Sequence, residues 1–161
     1  MFDTSIYINR RRILKEKFDS GLILFLGNED SPANYTANTY NFRQDSTFLY
    51  FFGVDRPGFA ATIDIDNNLE TLFGNDSTLD EIVWTGPQRT VNDYAEIVGV
   101  KRATSTEKLN EQIIGAIKRG RKIHFLPQYR LENILKLATI SGLKSENVND
   151  YASEKLIKAI V

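Results

Sequence analysis

Apolar residues return along this chain at two different periods, and the changes of period order its elements. From Ser5 to about Asp19, the residues Ile6, Tyr7, Ile13, Leu14 and Phe18 recur at helical offsets of four and seven, with Asp3 or Thr4 as cap. The run "LILFL" at 22–26 is apolar at every position, which predicts a short strand covered on both faces. Residues 27–41 hold Pro32 and four asparagines but no periodic apolar pattern, predicting a long surface loop. In "TFLYFF", 47–52, Phe48, Tyr50 and Phe52 alternate with Leu49 and Phe51, so the stretch predicts a second strand that is greasy on both faces. Gly53 and the turn residues of "DRPG" stop it.

The second half is more regular. "AATIDI" and "LETLF" alternate about Asp66-Asn67-Asn68 and predict a hairpin with one wetter face. "STLDEIVWTGPQ", 77–88, carries the only tryptophan and breaks at Gly86-Pro87. Val91, Tyr94, Ala95 and Val98 predict a helix closed by Gly99, with a short strand near Val100 to Ala103. Ser105 or Thr106 then caps a helix through Leu109, Ile113, Ala116 and Ile117, ended by Gly120. "KIHFL" is the next strand, and Pro127 suits the first turn of a helix whose buried stripe is Leu131, Ile134, Leu135 and Ala138. This order of helices and strands implies parallel crossovers. The closing "YASEKLIKAIV" is helical in period and stops without a cap, a glycine or a polar tail. We expect a cut inside or just before an interdomain segment, a docked C-terminal helix being the alternative.

Composition narrows the function classes. At 161 residues, one core is the default. A net charge of -1 supplies no long-range field for nucleic acid or an anionic membrane, so neither is an expected partner. The absence of cysteine rules out disulfides, thiolate metal sites and a thiol nucleophile. "MFDTSIYINRRR" lacks an apolar signal core and no run approaches the ~20 residues that span a bilayer, so a cytoplasmic location is expected. A single histidine makes any site with two imidazoles impossible. P-loop, dinucleotide and G-x-S-x-G fingerprints are missing too.

The remaining chemistry is sparse. His124, between Ile123 and Phe125, reads as a solvent-facing or satisfied histidine rather than a catalytic one. Asp64 and Asp66 alternate onto one side of a strand, a spacing that can hold a divalent metal, but Asp and Asn entering a turn explain them more simply. "KRGRK", 118–122, resembles a phosphate patch, and cations beside a helix C-terminus explain it as well. In "FRQDS", Arg43 and Asp45 can fix the chain at an element entrance through charge-assisted hydrogen bonds, or bind substrate.

Three stretches then carry a resemblance. "RRRILKEKF", "YNFRQDSTFLYFFGVDRPG" and "DEIVWTGPQ" occur in the order and spacing of the N-terminal domain of aminopeptidase P and its prolidase and creatinase-like relatives, over about residues 5 to 120. The middle stretch resembles the family's Tyr-Pro-Phe-Arg-Gln-Asp-Ser pattern, with Arg43, Gln44 and Asp45 as its structural motif residues. The resemblance implies an α/β fold: a three-layer α/β/α domain with a mixed, mostly parallel sheet of about six strands. It assigns 1–150 to this domain and 151–161 to the start of a linker helix.

What the family does lies elsewhere. Its C-terminal catalytic domain binds two divalent metals, usually manganese, through Asp, His and Glu ligands that nothing here matches. That domain cleaves peptides with proline at the second position. The resemblance thus implies a non-catalytic N-terminal domain of an Xaa-Pro aminopeptidase or dipeptidase, inactive alone, partnered by its own catalytic domain and supporting a homo-oligomer, dimer or tetramer. By motif position Trp84, Tyr40 and Asn38 fall near the substrate entrance, with Trp84 an apolar plate for a proline ring. The family's proline is Asn41 here, and Ala37, Asn38 and Thr39 stand where an acidic residue is common. Two rivals remain: a stand-alone creatinase-like domain that captures peptides or proteins, and a small nucleic-acid enzyme using Asp64 and Asp66.

Overall fold

Leu22–Leu26 runs through the middle of the molecule and is buried at all five positions. The computed structural model describes residues 1–35 and 38–161. Its helices are α1 (Thr4–Lys15), α2 (Ser46–Phe52), α3 (Leu79–Thr85), α4 (Val91–Val98), α5 (Thr106–Lys118), α6 (Leu131–Ser141) and α7 (Glu154–Ile160). Its strands are β1 (Leu22–Leu26), β2 (Pro32–Tyr35), β3 (Asn38–Thr39), β4 (Ala60–Asp64), β5 (Leu69–Phe73), β6 (Arg102–Thr104) and β7 (Ile123–His124), and a 3₁₀ segment covers Ser145–Tyr151.

Five strands form one sheet in the order β6-β5-β4-β1-β7. The inner pairings β5–β4 and β4–β1 are antiparallel, while the outer ones, β6–β5 and β1–β7, are parallel. Register sorts side chains by face. Phe25 lies opposite Ala61 and Ile23 opposite Ile63, and all four enter a core closed by α1, α2, α4 and α7. Leu22, Leu24, Leu26, Ala60 and Phe73 point the other way, toward α5, α6 and the 3₁₀ segment. The result is three layers, helix, sheet and helix, with cores on both sheet faces.

Several expectations change. "TFLYFF" is a helix, α2, and that is why the sheet has five strands rather than about six. Asp45 is its N-cap, with Oδ1 accepting from Phe48 N–H at 2.9 Å, and Gly53 closes it in the left-handed region at φ 65°. Phe48, Phe51 and Phe52, at helical spacing, are buried, Phe51 and Phe52 against Phe25 and Phe48 stacked on Phe52, while Tyr50 stays half exposed. The aromatics' preference for strands gives way to two caps placed one short helix apart. The loop at 27–41 contains the antiparallel hairpin β2–β3, pairing Pro32 with Thr39 and Tyr35 with Asn38. Strand β4 has no wet face, because Thr62 Oγ1 donates to Gln112 Oε1 on α5 and both flanking layers cover it.

Helix faces shift as well. On α1 the inward stripe is Tyr7, Arg11, Leu14 and the following Phe18, whereas Ile6 and Ile13 face outward. On α6, which begins four residues after Pro127, Asn133 and Leu137 are the buried positions, and Leu131 and Leu135 are exposed. Asn133 Nδ2 donates to the Gly27 carbonyl at the end of β1, so a polar contact sets the rotation of this helix.

Candidate functional site

The Arg-Gln-Asp triplet builds a junction in which glutamine does most of the fastening. Gln44 is buried, and its Oε1 accepts from Asn28 N–H at 2.7 Å and Asp45 N–H at 3.0 Å. Its Nε2 donates to the carbonyls of Val54 and Arg56 at 3.0 and 2.9 Å. One amide therefore ties the end of β1, the start of α2 and the turn after α2 together. Arg43 turns its side chain to solvent, and only its carbonyl takes part, accepting from Asn28 Nδ2 at 2.9 Å. Asp45 caps α2 and receives the Tyr129 hydroxyl on Oδ2 at 2.9 Å. Partial burial and the adjacent Asp45 carboxylate push the Tyr129 hydroxyl above the ordinary tyrosine value. Asp45→Ala should cost about 1–2 kcal/mol through the lost cap, while Asp45→Asn recovers most of it, read from the midpoint of urea unfolding.

Beside this junction a cleft of about 350 Å³ opens at the carboxyl ends of β1 and β7, lined by Asp45, Thr47 and Tyr129 on its polar side and Leu126, Ile157 and Ile160 on its apolar side. Both Asp45 oxygens accept hydrogen bonds, Oδ1 from Phe48 N–H and Oδ2 from the Tyr129 hydroxyl.

Asp64 and Asp66 are tied up in structure. Asp64 accepts from Asn67 N–H and Nδ2 at the turn, and Arg121 bonds Asp64 at 2.6 Å and Asp66 at 2.8 Å. Burial pushes the Asp64 carboxyl up, but the bonds from Asn67 and Arg121 outweigh it and hold it below the ordinary value. Arg121 of the basic run is thus the counter-ion of the turn. Among the described residues, no three His, Asp or Glu side chains are grouped to hold a metal ion.

Trp84 lies apart from this junction, on α3. A capping box between Thr78 and Glu81 holds that helix at its start, and none of its residues is buried. Leu79, Val83 and Trp84 are exposed at 83, 81 and 87%, on a helix that the sequence reading of 77–88, a tryptophan and a break at Gly86-Pro87, does not announce. The segment is moored by Arg56, whose Nη1 donates to Gln88 Oε1 at 2.8 Å, and by Asp76, which accepts from Val91 N–H at 2.7 Å. Tyr40 is exposed and among the described residues bonds through its backbone N–H to the Ser31 carbonyl, while Asn38 is half buried in the hairpin. Among the described residues no hydrogen bond or ring contact joins Trp84 to Tyr40 or Asn38; Ala37 lies outside those residues. Asn28, Asn133 and Tyr129, which complete the junction, have no periodic signal in the sequence, because each acts through polar contacts to distant segments rather than through an apolar stripe.

The model of the aminopeptidase P N-terminal domain matches residues 7–124. Intermediate cleaving peptidase 55, mitochondrial, of Arabidopsis thaliana is 27% identical over 117 residues, covering 73% of this chain and 24% of that protein. A protein of Aspergillus clavatus named as a probable Xaa-Pro aminopeptidase is 34% identical over 87 residues, or 54% of this chain and 18% of the relative. Among solved structures, a variant of Escherichia coli aminopeptidase P superposes with a TM-score of 0.72 at 21% identity, covering 86% of this chain and 32% of that one. Proline aminopeptidase P II of Yersinia pestis gives 0.69 at 21% identity, over 88% and 32% of the two chains. The chain thus spans about a quarter or less of the two relatives and about a third of each solved chain. With the layers, the junction at Gln44 and a family model covering most of its length, this chain belongs to the aminopeptidase P N-terminal domain family.

Proposed function

We propose that this chain is the non-catalytic N-terminal domain of a metal-dependent Xaa-Pro aminopeptidase, shaping the entrance through which a peptide with proline at its second position reaches a C-terminal catalytic domain. The bare apolar face of α3 carries the reading, because a well-capped helix holding Leu79, Val83 and Trp84 in water is built to meet something. Trp84 is the plate for the substrate's proline ring. Tyr40 and Asn38 border the same entrance, and Arg43, Gln44 and Asp45 form the frame that holds it. Residues 151–161 begin the link to the catalytic domain, and a homo-oligomer, dimer or tetramer, brings the entrance together. The described residues do not fit a pair of metal ions, so on this reading the manganese pair belongs to the catalytic domain. The cysteine-free composition supports a cytoplasmic setting, although the Arabidopsis relative bears a mitochondrial name.

Two measurements test this. The 161-residue chain given manganese and an Xaa-Pro peptide should release no residue, and manganese-dependent hydrolysis by it would end the accessory reading. In an enzyme that carries this domain beside its catalytic one, Trp84→Ala should lower kcat/KM by ~5–30-fold, the equivalent of a lost ring contact. It should leave the domain's own stability within about 0.5 kcal/mol, since the side chain touches little within it. An unchanged kcat/KM removes Trp84 from the entrance.

A further inference from the structure

His124, the only histidine of the chain, is 4% exposed on β7. Its Nδ1 lies 2.7 Å from Ser153 Oγ. That oxygen is also the N-cap of α7, accepting the Leu156 N–H at 3.1 Å. The other edge of the ring faces Gly21, where a Cβ would stand 3.0 Å from Nε2. Phe18 packs edge-on, with ring centroids 4.7 Å apart.

The proton count of this cluster closes only when the imidazole is neutral. A neutral ring donates from Nε2 and accepts at Nδ1, so the Ser153 hydroxyl donates to Nδ1 while its lone pair receives Leu156 N–H. A charged ring donates from both nitrogens, and the Ser153 proton must then turn away into a site where the serine is only 3% exposed. Surrounding charges add to the cost. Lys122 on the way into β7 and Lys155 in the first turn of α7 both act on the ring, and Lys155 Nζ sits 5.3 Å from the Phe18 ring centre. Asp66, which bonds Gly21 N–H, is engaged by Arg121. Asp19 and Glu154 are exposed.

We propose that His124 and Ser153 form a proton-sensitive latch on α7: the neutral imidazole holds the helix's N-cap against the sheet, and a proton on the ring releases it. Once released, α7 keeps the Ser153 N–H to Phe125 carbonyl bond, the Lys17 to Ala159 carbonyl bond and the Leu156 side chain in its core as remaining attachments. Loosening them moves Ile157 and Ile160, which wall the cleft beside Asp45. The cleft's width thereby becomes a function of pH.

Burial, then the Lys122 charge, hold the His124 ring below its ordinary value of 6.5. The opened state therefore binds the proton more tightly than the closed one. The latch is at full strength above the ordinary value and weakens as pH falls below it toward the folded value.

Amide hydrogen exchange of the 161-residue chain between pH 8 and pH 5, corrected for intrinsic rates, tests the latch. Protection across residues 154–160 should fall below pH 6.5 by up to ~10-fold per pH unit, the slope of one linked proton. Amides of β4 should hold. His124→Gln, which takes no proton, should flatten the α7 response, and Lys155→Gln should weaken it by easing protonation. The same slope in His124→Gln as in the wild type, or an equal loss across β4 and α7, overturns the proposal. Should His124→Gln fail to fold, Ser153→Ala carries the test: α7 protection must start lower at pH 8 with a shallower slope, and a wild-type slope overturns the latch.

Discussion

Arg11→Ala is expected to cost about 3–5 kcal/mol, a large fraction of the 5–15 kcal/mol that holds a domain of this size together. Arg11 is fully buried on the inward face of α1. Its Nε donates to Glu70 Oε2 at 2.9 Å, Nη1 to the Phe51 carbonyl at 2.8 Å and Nη2 to the Val98 carbonyl at 2.6 Å. Phe51 and Val98 lie at the C-terminal ends of α2 and α4, so one guanidinium answers the negative ends of two helix dipoles and a carboxylate on β5. Burial draws the guanidinium below its ordinary value and the Glu70 charge counters this. Removing it leaves the two carbonyls and Glu70 Oε2 without their donor in a buried setting, with Lys15 Nζ still on Glu70 Oε1 at 3.0 Å, and opens a cavity. Arg11→Lys should lose much of the same stability, because one ammonium cannot fork to three acceptors in different directions. Arg11→Met combined with Glu70→Leu should recover part of the loss while the two carbonyls stay unanswered. Urea midpoints rank the three variants; an Arg11→Ala loss under about 1 kcal/mol would show that those acceptors find other donors.

Gly53→Ala is the second large effect, at about 2–5 kcal/mol. A Cβ there would stand 2.4 to 2.7 Å from atoms of the Tyr7 ring, and Tyr7 is itself buried. Two terms add: about 1–2 kcal/mol for a side chain in the left-handed region, and about 1–3 kcal/mol for displacing a packed ring. Gly142 separates them, because it closes α6 in the same backbone region, at φ 75°, with nothing within 4 Å of its would-be Cβ. The difference between Gly53→Ala and Gly142→Ala in thermal unfolding measures the Tyr7 contact alone. Equal losses would mean that Tyr7 gives way and that the close approach of α1 to α2 is not rigid.

Both residues bear on how far the sequence could be read. β1 is legible because an apolar residue at every position leaves only a doubly covered strand, and the β4–β5 hairpin and helices α4 and α5 are legible because period, cap and stop agree. α2 is misread from its aromatics, although Asp45 and Gly53 mark its two ends; caps outweigh strand preference when the helix needs only two turns. Arg11 escapes any reading by hydropathy, since the pattern treats a charge as an outward position while three acceptors from distant segments draw it in. For the same reason Ile6 and Ile13 read as core, yet the stripe is turned by Arg11. At the candidate site the motif residues were legible as a group, but the larger fastening role of Gln44 depends on carbonyls that only the fold brings together. Trp84 was legible as an isolated tryptophan; its exposure on an otherwise unburied helix was not.

The two parallel strands at the margins of the sheet are also its shortest, three residues in β6 and two in β7. A margin that short offers another chain too few free backbone groups for strand addition, so this sheet is poorly suited to grow by edge-to-edge pairing. At this sheet, recognition of a peptide or protein would fall to side chains on the flanking helices and loops, making selectivity there a matter of surface chemistry rather than of backbone pairing.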